Sequence, residues 1–408
     1  MTASPVRRLC LAALAILLGL LLRAAPVAAQ AEPGMVLSTA DYVYGQTMRF
    51  KLAAADVGQI ESITLFFRVG VSPDAYSVDV PLGDAAVAAG APLEVSYALD
   101  LTQTRLPPFS PVTYWWRIER AGGEALLVPE QVVSYVDDQF TWNQLVETDE
   151  AGGGSVRIHW TGEGEGLGRQ AADLVFEMLP RLSRLVPLDR ILPFDVYLYP
   201  STADLGAALR LAGREYQPGQ TYPDLGVILT TVVNLETADA ELRDGLARGL
   251  ADLLLYQAVG QAAYTLPPWL GRGLAGMVRG QTDPVLDNTL RSALSSETTL
   301  PLAELCAGAA VDTDLAAAQS EALLSYIAAT YGEAAVRELL TAFAGGADCE
   351  TAVRAATQLT PGQLDAAWLR SLRGGEPGRN VAEMAVWGVL LMAGFGFAAL
   401  LLLRPRRK

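Results

Sequence analysis

Histidine is nearly absent from this chain: His159 is the one imidazole in 408 residues. That excludes any metal site built on two histidines, the usual core of a catalytic zinc centre. A Ser-His-Asp triad would have to use His159, and no Gly-x-Ser-x-Gly elbow supplies the serine. No phosphate-binding glycine loop, Cys-x-x-Cys pair or calcium-loop pattern occurs either. Basic residues are scarce as well, 30 Lys and Arg against 45 Asp and Glu, for a net charge of −15. A chain this acidic repels phosphate backbones, so nucleic acid is not an expected partner. Cysteines number three.

The two ends are strongly apolar. Arg7 and Arg8 precede an apolar run from Leu9 to Leu22, and the small residues Val27, Ala28 and Ala29 suit signal-peptidase cleavage. Residues 1–31 therefore read as a signal peptide, with an uncleaved anchor as the alternative. Cys10 lies inside that run without lipobox neighbours. Near the other end, residues 374–383 form a polar linker. Residues 384–403 then pass without a charge, and the basic tail 404–408 follows, with Arg404, Arg406, Arg407 and Lys408. Such a stretch is long enough to span a hydrocarbon core of ~30 Å. The clustered positive charge predicts a cytoplasmic tail, hence a single-pass cell-membrane protein with an extracytoplasmic ectodomain. In that oxidising compartment Cys306 and Cys349 could pair, or remain two separate buried thiols.

The length suggests two domains besides these signals. Residues 35–140 alternate as half-buried strands do. Met48, Phe50 and Leu52 share one face, as do Ile63, Leu65, Phe67 and Val69, then Val95, Tyr97 and Leu99, then Val112, Tyr114, Trp116 and Ile118. Ala121, Gly122 and Gly123 offer a hairpin turn. This pattern predicts a β-sandwich of immunoglobulin or fibronectin type. Trp142 and the polar stretch 147–154 mark a boundary. Strands are expected at 155–160, 194–199 and 227–233. A helix follows the apolar spacing of Leu167, Ala171, Leu174, Val175, Met178 and Leu182, kinked or shortened at Pro180. Ser201 and Asp204 resemble a helix cap. From Ala238 to about Leu372 the pattern is helical.

Within that region Ala247-Arg248-Gly249-Leu250-Ala251-Asp252 continues into an apolar helix. Downstream stands Leu266-Pro267-Pro268-Trp269-Leu270-Gly271-Arg272-Gly273-Leu274-Ala275. The second segment is similar to the Leu-Pro-x-Trp-Leu-x-Glu-Gly-Leu-Ala segment of peptidase MA-like proteins, the gluzincin zinc peptidases. Ala318-Gln319-Ser320, Tyr326, Tyr331-Gly332 and Trp368 resemble that family's later helices. The resemblance covers roughly residues 155–373 and implies a domain at 150–373. The expected architecture is multidomain: the β-sandwich, then an α+β, mainly helical zincin-like domain, then one C-terminal transmembrane helix.

In the family, His-Glu-x-x-His supplies two zinc ligands and the general base, and a later Glu is the third ligand. The matching positions here are Arg248, Gly249, Asp252 and Arg272. A guanidinium has no lone pair to give a cation, and glycine has no base. The resemblance therefore implies a degenerate member with its zinc site lost, no catalytic residue and no cofactor. His159, about 90 residues upstream, is expected to be an ordinary strand residue. A hydrogen bond from Asp252 to at least one of the two arginines would fill the vacated metal position. The alternative, an accidental likeness, makes Arg248 and Asp252 a solvated i,i+4 pair.

A peptide could still add to the strand at Val227, Leu229, Thr231 and Val233, with Tyr216 and Tyr222 near its entrance. A buried structural strand is the other reading of those residues. The arginine pair would then favour an acidic ligand. The expected function is that of a membrane-anchored pseudopeptidase that binds or scaffolds a peptide or protein at the cell surface. An active hydrolase with non-standard ligands, and an adhesion or envelope protein working through its sandwich, are the alternatives.

Overall fold

The computed structural model describes residues 36–55, 57–82, 92–148, 154–216, 219–233, 237–308 and 313–373. The expected signal peptide 1–31, linker 374–383, transmembrane span 384–403 and tail 404–408 lie outside the described residues. Among the described residues no helix is long and apolar enough to cross a membrane. The chain divides after Asp138 into two compact units.

The first unit contains β1 (Val36–Val43), β2 (Thr47–Ala54), β3 (Ile60–Val69), β4 (Tyr76–Asp79), β5 (Leu93–Asp100), β6 (Ser110–Arg120) and β7 (Leu126–Tyr135). Two sheets form, in the orders β1-β2-β5 and β4-β3-β6-β7. Their inward residues, including Met48, Phe50, Leu52, Leu65, Phe67, Val112, Trp116 and Ile118, make one core. Period-two alternation explains this, because successive side chains leave a strand on opposite faces. Polar tips inside the unit are satisfied: Trp116 Nε1 donates to Ser38 Oγ at 3.0 Å, and Tyr135 Oη accepts from the Gly45 amide at 2.8 Å.

The second unit begins with β8 (Asn143–Thr148) and β9 (Ser155–Trp160), an antiparallel pair. Helix α1 (Gly166–Leu185) leads to β10 (Phe194–Tyr199), and α2 (Thr202–Leu211) to β11 (Gln220–Tyr222) and β12 (Val227–Thr231). The sheet order is β11-β12-β10-β9-β8. Strand β10 lies parallel to both β9 and β12, whereas β11 is antiparallel to β12. Helix α1 runs through Pro180 without ending there, its Ala171, Leu174, Val175, Met178 and Leu182 buried. The helix is therefore not shortened at Pro180. Ser201 caps α2 by accepting from the Asp204 amide.

The helical part comprises α3 (Ala238–Val259), a 3-10 turn (Gly260–Thr265), α4 (Pro268–Arg279), α5 (Pro284–Ser296), α6 (Leu302–Cys306), α7 (Asp314–Tyr331), α8 (Glu333–Ala344), α9 (Cys349–Thr357) and α10 (Pro361–Arg373). One apolar core joins these helices to one face of the sheet, with Trp269, Leu250 and Trp368 fully buried in it. A disulfide between Cys306 and Cys349 ties the end of α6 to the start of α9.

Candidate functional site

Helix α3 approaches the sheet through two glycines one turn apart. A Cβ at Gly245 would stand 2.1 Å from Thr230 Oγ1, and one at Gly249 would stand 2.4 Å from Ile228 Cγ2. Gly219, at φ +66°, completes the seam: a Cβ there would meet the Gly245 carbonyl oxygen at 2.3 Å. A β-branched side chain such as Ile228 cannot swing aside at its Cγ2, so position 249 has no space for a side chain. The register that the sequence assigns to a general base therefore points at a filled wall.

On its other side α3 borders a cleft of about 700 Å³, with Thr221, Arg248, Asp252, Arg272, Asp283 and Asp314 in its lining. Three of the four positions flagged in the sequence converge there, and Gly249 lies behind them. Arg248 and Asp252 come from α3, Arg272 from α4, and Thr221 from β11.

Asp252 is open to solvent through the cleft but enclosed on its other sides. Burial pushes its carboxyl up to about 6, against the opposing pull of a hydrogen bond from Thr221 and of the Arg248 and Arg272 charges. The Thr221 bond is long, 3.5 Å. Arg248 turns back to Asp244 instead, with Nε 3.2 Å from Oδ2 and Nη2 3.4 Å from Oδ1. The expected hydrogen bond from an arginine to Asp252 is thus replaced by one from Thr221. Asp244 sits one turn earlier on the same helix, where an i,i+4 pair forms at little cost.

Helix cross-linking happens behind the cleft. The buried Arg279 of α4 donates to Asp244 of α3 at 3.3 Å and to Glu321 of α7 at 2.6 Å. Burial raises the Glu321 carboxyl; Arg279 opposes this, and the neighbouring Asp283 and Asp244 carboxylates add to the rise. Close approach of α4 and α7 depends on Gly273 and Gly276, whose Cβ atoms would strike Ser320 O at 2.7 Å and the Glu321 carboxyl at 2.5 Å. Gln319 in the same helix satisfies both backbone groups of Leu300. These contacts account for the Ala318-Gln319-Ser320 pattern.

His159 is not part of the cleft lining. It stacks on Tyr197 at 4.1 Å, and its Nε2 lies 2.8 Å from Asp195 Oδ1. Arg157 grips the same carboxylate with bonds of 2.7 and 2.5 Å. Burial would raise Asp195, but the hydrogen bonds from His159 and Arg157 outweigh it and hold the carboxyl below its ordinary value.

The proposed peptide-binding strand needs correction. Val227, Leu229 and Thr231 belong to β12, which is buried throughout. Strand β10 takes one edge and β11 takes the other along residues 227–229, while α3 packs on Thr230 through Gly245. Val233 lies beyond the strand, and its amide donates to Glu241. Tyr222 is buried beneath the Arg214 guanidinium, 4.3 Å from its ring centre, and is not at an entrance. The outer strand beside the cleft is β11.

Sequence reasoning missed Thr221, Asp283 and Asp314. Two of them were detectable as helix starts: Asp283 precedes Pro284 and caps α5, while Thr313 caps α7 just before Asp314. What no local pattern revealed is that both helices begin at this cleft. The charge balance changes accordingly, since among the described residues of the lining two arginines accompany three aspartates. An acidic ligand is not what this lining favours.

Residues 176–374 match the family model of the peptidase MA superfamily. This region, just under half of the chain, is similar to that superfamily. The comparison with curated proteins gave no match. Solved structures similar to it include the M1 zinc metallopeptidase from Deinococcus radiodurans, at 15% identity over 79% of this chain and 88% of that one, TM-score 0.36. Another is an aminopeptidase N family protein from Idiomarina loihiensis, at 9% identity over 83% and 70%, TM-score 0.30. Values this low do not bear on function.

Zinc in this superfamily needs three or four protein ligands. At the positions that the sequence resemblance assigns to the metal only Asp252 can donate, and Ile228 closes the space behind Gly249. Among the described residues, no group of three His, Cys, Asp or Glu is placed to hold a metal ion. The residues present do not fit the metal.

Proposed function

We propose that this protein is a pseudopeptidase that binds peptide without cutting it. The observation that carries the reading is the cleft itself. It brings together Arg248, Asp252 and Arg272, which the sequence resemblance assigns to the metal site, while Ile228 fills the space behind Gly249. The cleft volume of about 700 Å³ lies within the range of ligand sites. Its arginines and Thr221 offer donors to peptide carbonyls, and the outer strand β11 runs alongside. The apolar ends of the sequence favour a place on the outer face of the cell membrane, with the N-terminal sandwich serving as a binding or spacing module.

The test is to incubate the full chain with a mixed peptide library, with and without added zinc, and to follow both capture and cleavage by mass spectrometry. Capture with intact peptides supports the reading; cleavage abolished by a chelator contradicts it. One observation favours a second reading, a metal-independent hydrolase: a cleft carboxyl raised to about 6 suits acid–base work near neutral pH. Cleavage lost in Asp252→Asn and insensitive to chelator would establish that reading instead.

A further inference from the structure

We infer that the cleft selects a cationic peptide, with one basic side chain entering a smaller cavity beside it. This rests on the peptide-binding reading above and adds the chemistry of the ligand. The first ground is charge. Among the described residues of the lining three aspartates accompany two arginines, and Arg248 is already paired with Asp244. A cation entering here gains, and an anion loses, inside a cleft whose walls focus the field.

The second ground is shape. A cavity of about 180 Å³ between α5 and α7 shares Asp283 and Leu286 with the cleft, so the two are adjacent. Its wall combines the apolar Leu290, Ala318 and Ala322 with the carboxylates of Asp287 and Glu321. That combination matches lysine or arginine, whose apolar stem lies along hydrophobic surface while the charged head reaches polar partners. Glu321 and Asp287 are held by Arg279 and Arg291, yet a carboxylate has about four acceptor sites and one cation does not exhaust them.

A third ground is the unmet demand of the acidic groups. Asp252 has a single long hydrogen bond, from Thr221. Glu321 feels the repulsion of Asp283 and Asp244 in addition to its burial. An added ammonium or guanidinium relieves both. The groups facing Asp252 are Thr221 from β11, Arg248 on its own helix and Arg272 from α4, with Asp283 and Asp314 across the cleft. Arg248 has donors beyond those it gives Asp244, and these can serve peptide carbonyl oxygens.

Fluorescence anisotropy with the full chain tests this, using labelled ten-residue peptides that are lysine-rich, neutral or glutamate-rich, at pH 7.5. The lysine-rich peptide should bind about tenfold tighter than the neutral one, and the glutamate-rich peptide more weakly still. Raising salt to 0.5 M should erode that advantage. Asp283→Asn should cost the lysine-rich peptide about threefold to tenfold and the neutral one less. Asparagine caps a helix as well as aspartate, so this variant keeps α5 intact. Thermal melts verify folding. Neutral or acidic peptides binding as tightly as basic ones would overturn the charge inference and leave the peptide-binding reading standing. No binding by any of the three would overturn both.

Discussion

Two aspartates in the same unit live under opposite conditions. Asp195, among the strands, receives two bonds from Arg157 and lies 2.8 Å from the ring of His159, and its carboxyl is held low. Asp252, on the cleft floor, has one long contact with Thr221, and its carboxyl is pushed up to about 6. Both have arginines nearby. The difference is where those arginines point: Arg157 reaches across the sheet to Asp195, whereas Arg248 turns to Asp244. A satisfied ion cluster stabilises a sheet. A carboxylate with spare acceptor capacity in a cleft has room for a further hydrogen-bond partner.

Four substitutions sharpen or break that contrast. The largest effect is expected behind the cleft, at Gly249→Glu. Restoring the family's base forces a side chain onto Ile228, so unfolding in denaturant should show a loss of about 3 kcal/mol and no gain of hydrolysis. A stable, active variant would mean that the wall is soft. Next comes Asp195→Asn, which removes the charge that Arg157 and His159 share. Partial exposure of Arg157 limits the loss to about 2 kcal/mol in the same experiment. Because the Asp195 carboxyl is held low, the wild-type contribution is present near neutral pH and disappears as pH falls through the lowered value.

Asp252→Asn should act in the reverse sense. A carboxyl raised above its unfolded value of ~3.9 contributes stability below that pH and loses it as pH rises through about 6. The asparagine variant should therefore be more stable than wild type at pH 7, by about 1 kcal/mol once water in the cleft is allowed for. Its stability should also vary less between pH 4 and 6. Equal destabilisation by Asp252→Asn and Asp195→Asn would erase the distinction between the two regions. The smallest change is expected for Arg248→Ala, a few tenths of a kcal/mol by thermal melt, since an exposed i,i+4 pair with Asp244 contributes little.

Where the sequence was legible, periodicity or a short motif carried the information. Val112, Tyr114, Trp116 and Ile118 announce a strand face by alternation, and all four are buried. Arg248, Asp252 and Arg272 were brought together by motif spacing alone, and they do share a cleft. Strand β11 is only three residues long, too short to alternate, so its cover over β12 could not be read. The clash at Gly249 depends on Ile228, 21 residues earlier, and a contact between a helix and a strand leaves no local mark. Asp283 and Asp314 looked like ordinary first-turn acids until helix packing placed them at one opening. Pro180 was expected to kink or shorten α1, yet the helix runs on to Leu185: one missing amide is tolerated where the apolar stripe is buried along its length.

The most direct test of the account is the metal content of the full chain, purified without chelator and measured by mass spectrometry after equilibration with excess zinc and buffer exchange. The account predicts well under one zinc per chain, unchanged in Asp252→Ala. One zinc per chain, lost in that variant, would contradict it.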